Sequence, residues 1–220
     1  SHDRVYWQPD YARDTARQHW SASQWQEAIQ QQLAAAVQRG IVSKERMGVL
    51  LSGGLDSSLL VALMADAGVK DIATYSVGFE SVGSHTGNEF EYSDRVAQEF
   101  GTDHHTLQLR TTDLYAAVGD AITAMPEPMA SHDVVAFYLH SLAVADCSSV
   151  VQCGQGADEI FAGYNYHRQA EDVSRDAALA PFREAFEDRN HHELAAGLAK
   201  EWMTETKVSH YRVSGDVNSP

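Results

Sequence analysis

Residues 47–64 constrain this chain more than any other stretch. An apolar run from Met47 to Leu51 stops at Ser52-Gly53-Gly54 and resumes as Leu55-Asp56-Ser57-Ser58-Leu59-Leu60-Val61-Ala62-Leu63-Met64, which has helix composition. That pattern is a buried strand feeding a helix through a tight turn. Two glycines let the backbone turn with its N–H groups inward, and the helix adds the positive end of its dipole at the same point. Ser52, Ser57 and Ser58 contribute hydroxyl donors, so the run predicts a cradle for a phosphate chain. Asp56 would repel phosphate unless a divalent cation lay between them, which implicates Mg²⁺. The alternative is a plain strand-to-helix turn; the agreement of strand, full S-G-G-x-D-S-S spacing and helix weighs against it. No G-x-x-x-x-G-K-[ST] run and no G-x-G-x-x-G after a strand occurs.

Composition limits what can surround such a loop. With 220 residues, 44% hydrophobic and 21% charged, the chain suits one α/β domain with a real core. A formal charge of −15 argues against a nucleic-acid partner, because backbone binding needs clustered Lys and Arg. Cys147 and Cys153 do not suggest a disulfide, and a reducing cytoplasm is expected. No run approaches ~18 apolar residues and no signal-peptide pattern opens the chain, so no membrane association is expected. Eleven histidines invite a metal reading, yet His104-His105 and His191-His192 are adjacent pairs rather than an i, i+4 ligand pair.

Along the chain, residues 1–20 read as a linker or arm. Ser23 can cap a helix with apolar positions Trp25, Ile29, Leu33, Ala36 and Val37, ended by Gly40. Strand 47–51, helix 56–67, strand 72–79, loop 80–88, helix 90–100, strand 104–109 and helix 112–124 follow. Pro126-Glu127-Pro128 is a rigid break before helix 133–145 and strand 149–153. A helix is predicted over 158–170, more helix through 175–203, and a loosely patterned tail over 207–220. Alternating strands and helices imply an α/β fold, a parallel sheet with helices on both faces and ligands at the carboxyl ends of the strands. The expected division is a linker at 1–20, a nucleotide domain at 21–170 and a helical extension at 171–220.

Val150-Val151-Gln152-Cys153-Gly154-Gln155-Gly156-Ala157-Asp158-Glu159 repeats the strand, glycine loop and helix design. Asp158 opens that helix, so Asp56 and Asp158 form a candidate carboxylate pair for one or two Mg²⁺ ions bridging phosphates. The bland reading is that Asp158 and Glu159 favour the helix dipole. Ser131-His132-Asp133 reads first as a capping segment in which Ser131 or Asp133 accepts a helix N–H, and second as an acceptor contact. His104-His105 reads as structural, and the stripe Phe137, Leu142 and Val144 as core.

The first loop resembles the pyrophosphate loop of enzymes that split ATP between its α- and β-phosphates, the adenine nucleotide alpha hydrolase-like fold. With Ser76-Val77-Gly78-Phe79, Gly101-Thr102-Asp103-His104-His105, Gly154-Gln155-Gly156-Ala157-Asp158-Glu159 and Gly163-Tyr164 in order, residues 45–168 resemble the synthetase domain of glutamine-dependent asparagine synthetases. That resemblance implies ATP and Mg²⁺. Leu50, Val77 and Gly154 would line the adenine and ribose pocket, with Cys153 beside them in place of a serine. Ser52, Gly53, Gly54 and Ser57 would hold pyrophosphate, with Asp56 and Asp158 on the metal. Gln155 stands where those enzymes are acidic, near the acceptor amine, and a neutral group there disfavours aspartate, whose ammonium would lose its partner.

Gly78-Phe79-Glu80-Ser81-Val82-Gly83, Glu127-Pro128-Met129-Ala130-Ser131-His132-Asp133 with Val135-Ala136-Phe137-Tyr138-Leu139, and the run from Gly154 to Tyr164 resemble a narrower branch. These are the N-acetylglutaminylglutamine amidotransferases of osmolyte biosynthesis, whose capped acceptor has no ammonium. The resemblance implies a ligase fragment that adenylates an acceptor carboxylate and amidates it with ammonia. The ammonia would come from an N-terminal glutaminase domain in the same polypeptide, and the isolated piece would turn over little. A homodimer is compatible with this. An asparagine synthetase using aspartate, a tRNA-modifying relative of the loop and a non-catalytic nucleotide-binding module are the other readings.

Overall fold

The computed structural model describes residues 4, 6, 14–42, 45–81, 90–127, 131 and 133–170, with 177, 193, 196 and 197. They fall in two compact units, Ala22–Gln155 and Ser1–Ser21 with Gly156–Pro220.

In the first unit a parallel sheet has the order β3-β2-β1-β4. Its strands are β1 (Met47–Leu50), β2 (Ala73–Phe79), β3 (Asp103–Leu109) and β4 (Val150–Gln152). Val49 lies opposite Thr74 on one side and Gln152 on the other, so β1 is internal. A strand paired on both edges and covered on both faces must be apolar throughout, which explains the unbroken run at 47–51. Helices α1 (Ala22–Arg39), α2 (Leu55–Asp66) and α3 (Phe90–Phe100) pack on one face. There Val37, Val61, Met64 and Ala97 enclose Met47, Val49 and Leu51. Val144 and Cys147, from the end of α5 (Val134–Ala145) and the turn after it, pack against Ala73, Tyr75 and Leu50 on the other. Helix α4 (Thr111–Ala124) precedes α5. The expected α/β class, a parallel sheet covered on both faces, is what the chain adopts.

Four expectations need correction. Helix α1 starts at Ala22, so Ser23 lies inside its first turn rather than capping it. Strand β4 ends at Gln152, leaving Cys153 exposed beyond it. Phe137 and Leu142 are 40% and 51% exposed and only Val144 is core, because α5 meets the sheet through its C-terminal turns. The helix expected over 158–170 is α6 (Ala157–Phe161) followed by a 3-10 turn over Asn165–Ala170. Ala162 adopts a left-handed φ of 55°, and the Gly163 N–H bonds back to the Asp158 carbonyl at 3.0 Å, ending α6.

The second unit also holds a 3-10 turn, Thr15–Arg17, capped by the Asp14 carboxylate, which accepts from the Ala16 N–H. The Arg17 guanidinium sits 5.1 Å above the Trp20 ring. The expected loop 80–88 from residue 82 on, the pair His191-His192, the tail at 207–220 and nearly all of 171–203 lie outside the described residues.

Candidate functional site

The first glycine loop connects the carboxyl end of β1 to α2. Gly53 turns it with φ +83°, and a Cβ there would lie 2.5 Å from the Ser93 nitrogen and the Tyr92 Cβ at the start of α3. Both the backbone angle and the space demand glycine. Around the next peptide the serines form a closed set of hydrogen bonds. The Ser52 N–H donates to Ser57 Oγ at 3.2 Å, and the Ser52 and Ser57 hydroxyls lie 3.0 Å apart. The Gly54 N–H donates to Ser52 Oγ at 3.2 Å, while the Ser58 hydroxyl donates to the Gly54 carbonyl at 2.6 Å. Ser57 is buried, Asp56 half-buried and Ser52 exposed. Asp56 falls in the first turn of a 12-residue helix. Hydroxyls and N–H groups at the head of a full-length helix suit an anion, and a half-buried carboxylate beside them suits a cation held against it.

The chain after β4 reaches the same place because β1 and β4 are neighbours. A Cβ on Gly154 would lie 2.9 Å from Asp56 Cβ and 3.2 Å from the Ser57 nitrogen. Only glycine lets that backbone lie against the first turn of α2. Leu50 and Val77 are half-buried on β1 and β2, and Cys153 and Gln155 are exposed after β4. The structure thus gathers Ser52, Gly54, Asp56, Ser57 and Gly154 into one contact network, with Gly53 seated against Tyr92 and Ser93 of α3. After β2, the Glu80 carboxylate accepts from the Thr111 N–H at 2.9 Å, and hydrogen bonding from Thr111 holds it below the usual carboxylate range.

In the other unit, Asp158 and Glu159 occupy the first turn of α6, and Asp158 is half-buried. The Tyr164 hydroxyl donates to Glu159 at 3.0 Å; that bond raises the phenol above its ordinary value. Among the described residues no group of three or more His, Cys, Asp or Glu side chains converges as a metal centre.

Sequence reasoning missed a cavity. An open space of ≈ 430 Å³ lies between α4 and α5, lined by Ala121, Ala124, Met125, Ser131, Asp133, Val134, Phe137, Tyr138, Ser141 and Gln155. No signal in the sequence marks it: Phe137 and Val144, seven residues apart, share one face of α5, and only the fold separates the exposed ring from the buried valine. The expected cap needs correction: Asp133 is the N-cap of α5 but its side chain makes no capping bond, and the Ser131 hydroxyl accepts from the Asp133 N–H at 3.2 Å, before the helix begins, and lies 3.2 Å from the Asp133 carboxylate. His132 lies outside the described residues.

Among the described residues no helix is long and apolar enough to cross a membrane. The chain is 32% identical over 122 residues to a putative glutamine-hydrolysing asparagine synthetase 2 of Methanocaldococcus jannaschii, covering 55% of this chain and 23% of that protein. It is 32% identical over 154 residues to glutamine-hydrolysing asparagine synthetase 1 of Arabidopsis thaliana, covering 65% and 26%. The chain therefore spans about a quarter of the length of these relatives. Among solved structures, an NH3-dependent NAD synthetase from Campylobacter jejuni superposes with TM-score 0.42 at 15% identity, over 88% of this chain and 84% of that one. A family model described as asparagine synthase matches residues 28–219, so this chain belongs to the asparagine synthase family.

Proposed function

We propose that the chain is the synthetase part of an ATP-dependent amidotransferase whose acceptor is N-acetylglutaminylglutamine. The observation that carries the reading is the seat of Gly154 on Asp56 and Ser57, which brings Gln155 next to the phosphate-type loop. In this reading Ser52, Gly53, Gly54 and Ser57 bind the departing pyrophosphate, and Leu50, Val77, Cys153 and Gly154 border the nucleoside. Asp56 and Asp158 hold Mg²⁺, which offsets charge on the phosphates when bound. The acceptor carboxylate attacks the α-phosphorus of ATP, pyrophosphate leaves, and an acyl-adenylate forms. Ammonia then attacks the acyl carbon and loses a proton as AMP departs with its bonding electron pair. Positioning and charge compensation suffice, so no side-chain nucleophile is needed. Gln155, neutral where asparagine synthetases are acidic, suits an acceptor without an ammonium. Ammonia comes from a glutaminase domain of the same polypeptide, in the cytoplasm, and the 220 residues alone turn over little.

The asparagine synthetases among the relatives favour a second reading, with aspartate as acceptor. AMP release by the natural polypeptide that contains this chain, supplied with ammonia, separates the two. AMP with the capped dipeptide and not with aspartate is expected. Release with aspartate alone returns the protein to asparagine synthesis, and release that needs no carboxylate removes the amidotransferase reading.

A further inference from the structure

We propose that the cavity between α4 and α5 binds the uncharged end of the acceptor, an acyl chain bearing neutral amides, while the carboxylate to be activated stays at the Gln155 end. This rests on the amidotransferase reading above and adds where the acceptor lies and which way round it enters.

The wall is apolar at Ala124, Met125 and Phe137 and neutral but polar at Ser131, Ser141 and Gln155. Hydroxyls and a carboxamide can both donate to and accept from an amide, so they suit a peptide-like chain in either register. The described wall offers these neutral groups and apolar surface to a ligand, which matches an amide-bearing chain more closely than a charged one. Asp133, the carboxylate among the described lining residues, accepts from the Ser131 hydroxyl at 3.2 Å. Phe137 is 40% exposed on a helix that buries His140 and Val144, so its ring is surface that an acyl chain can cover.

Orientation follows from the chain itself. Gln155 belongs to the cavity wall, and its neighbour Gly154 lies against Asp56 and the Ser57 nitrogen. Two consecutive residues therefore join the cavity to the loop. An acceptor whose neutral end occupies the cavity passes Gln155 and presents its other end toward the loop. Aspartate, charged at both ends and without a neutral segment, has nothing to place against Phe137 and Met125.

The test is methyl-¹³C-methionine NMR of the natural polypeptide, with the Met125 signal assigned through Met125→Leu. N-acetylglutaminylglutamine is expected to move that signal, and ATP with Mg²⁺ alone is not. Ser141 is exposed, so Ser141→Phe fills the cavity without entering the core. It should raise the acceptor Kd about tenfold and leave the ATP Kd unchanged. A Met125 signal that stays put, or an unchanged acceptor Kd in Ser141→Phe, in a protein that releases AMP with the capped dipeptide, overturns this placement alone. AMP release with aspartate and not with the dipeptide overturns the acceptor reading and this inference together.

Discussion

The two faces of the sheet are built differently. On the α1–α2–α3 face nine buried residues form one aliphatic cluster, and Val49, Val61 and Met64 have no exposed surface. On the α5 face the buried apolar set is Ala73, Tyr75 and Val144, and a polar contact, Tyr75 hydroxyl to Ser148 hydroxyl at 2.6 Å, does part of the joining. The first face anchors α2, whose first turn carries the nucleotide-type loop. The second leaves room for the cavity between α4 and α5. The hydrogen-bonded glycine loop thus sits on the dense side, and the open space beside Phe137 on the sparse one.

The largest expected effect sharpens this contrast with one chemistry on both faces. Val61→Ala, in a fully packed setting, should cost about 2–3 kcal/mol, and Val144→Ala about half that, since its looser surroundings can close over the gap. Chemical denaturation of both variants reads the difference; equal losses would mean the faces are equally packed. Next, Tyr75→Phe removes the hydroxyl bonded to Ser148 and should cost about 1 kcal/mol. A Tyr75→Phe variant as stable as wild type would show that the sparse face is held by packing alone.

The smallest effect concerns pH. His140, buried on α5, has its pKa lowered from 6.5 by burial. Below that value the unfolded chain takes up a proton that the folded chain resists, so this contribution to stability is full above pH 6.5 and falls as the pH drops toward the depressed value. His104, on β3, is lowered by burial too and adds to the same slope. Melting from about pH 7.5 to about 5.5 should show His140→Leu losing less stability than wild type. Identical slopes would assign the acid sensitivity elsewhere.

Much of the dense face was legible because its signals are local. The apolar run at 47–51, the glycines at 53 and 54 and the helical composition after Asp56 each act within one turn of backbone. Gly40 and Gly101 likewise mark the ends of α1 and α3 where the structure ends them. The sparse face was less legible because its arrangement depends on partners far apart in sequence. Nothing in 134–145 says that its C-terminal turns meet Tyr75 while Phe137 borders a cavity. The end of α6 escaped for a related reason: Ala162 is a good helix former, and its left-handed angle is set by the return of Gly163 to Asp158. In the loop after β4 the sequence offered a glycine, whereas its seat on Asp56 and Ser57 is a product of strand order.

The serine hydroxyls of the first loop bear on energetics. Ser52 and Ser57 are already engaged with one another, and the Gly54 N–H already has an acceptor. Under the function proposed above, recognition of a polyphosphate there would be an exchange of partners: each new bond to an anionic oxygen would replace a neutral one made inside the loop. The enthalpy gained is the difference between the two kinds of bond, and the entropy lost is small because the donors are already ordered. Ser52→Ala should therefore weaken nucleotide binding by less than a full charge-assisted bond, a modest calorimetric signature for a loop this rich in donors.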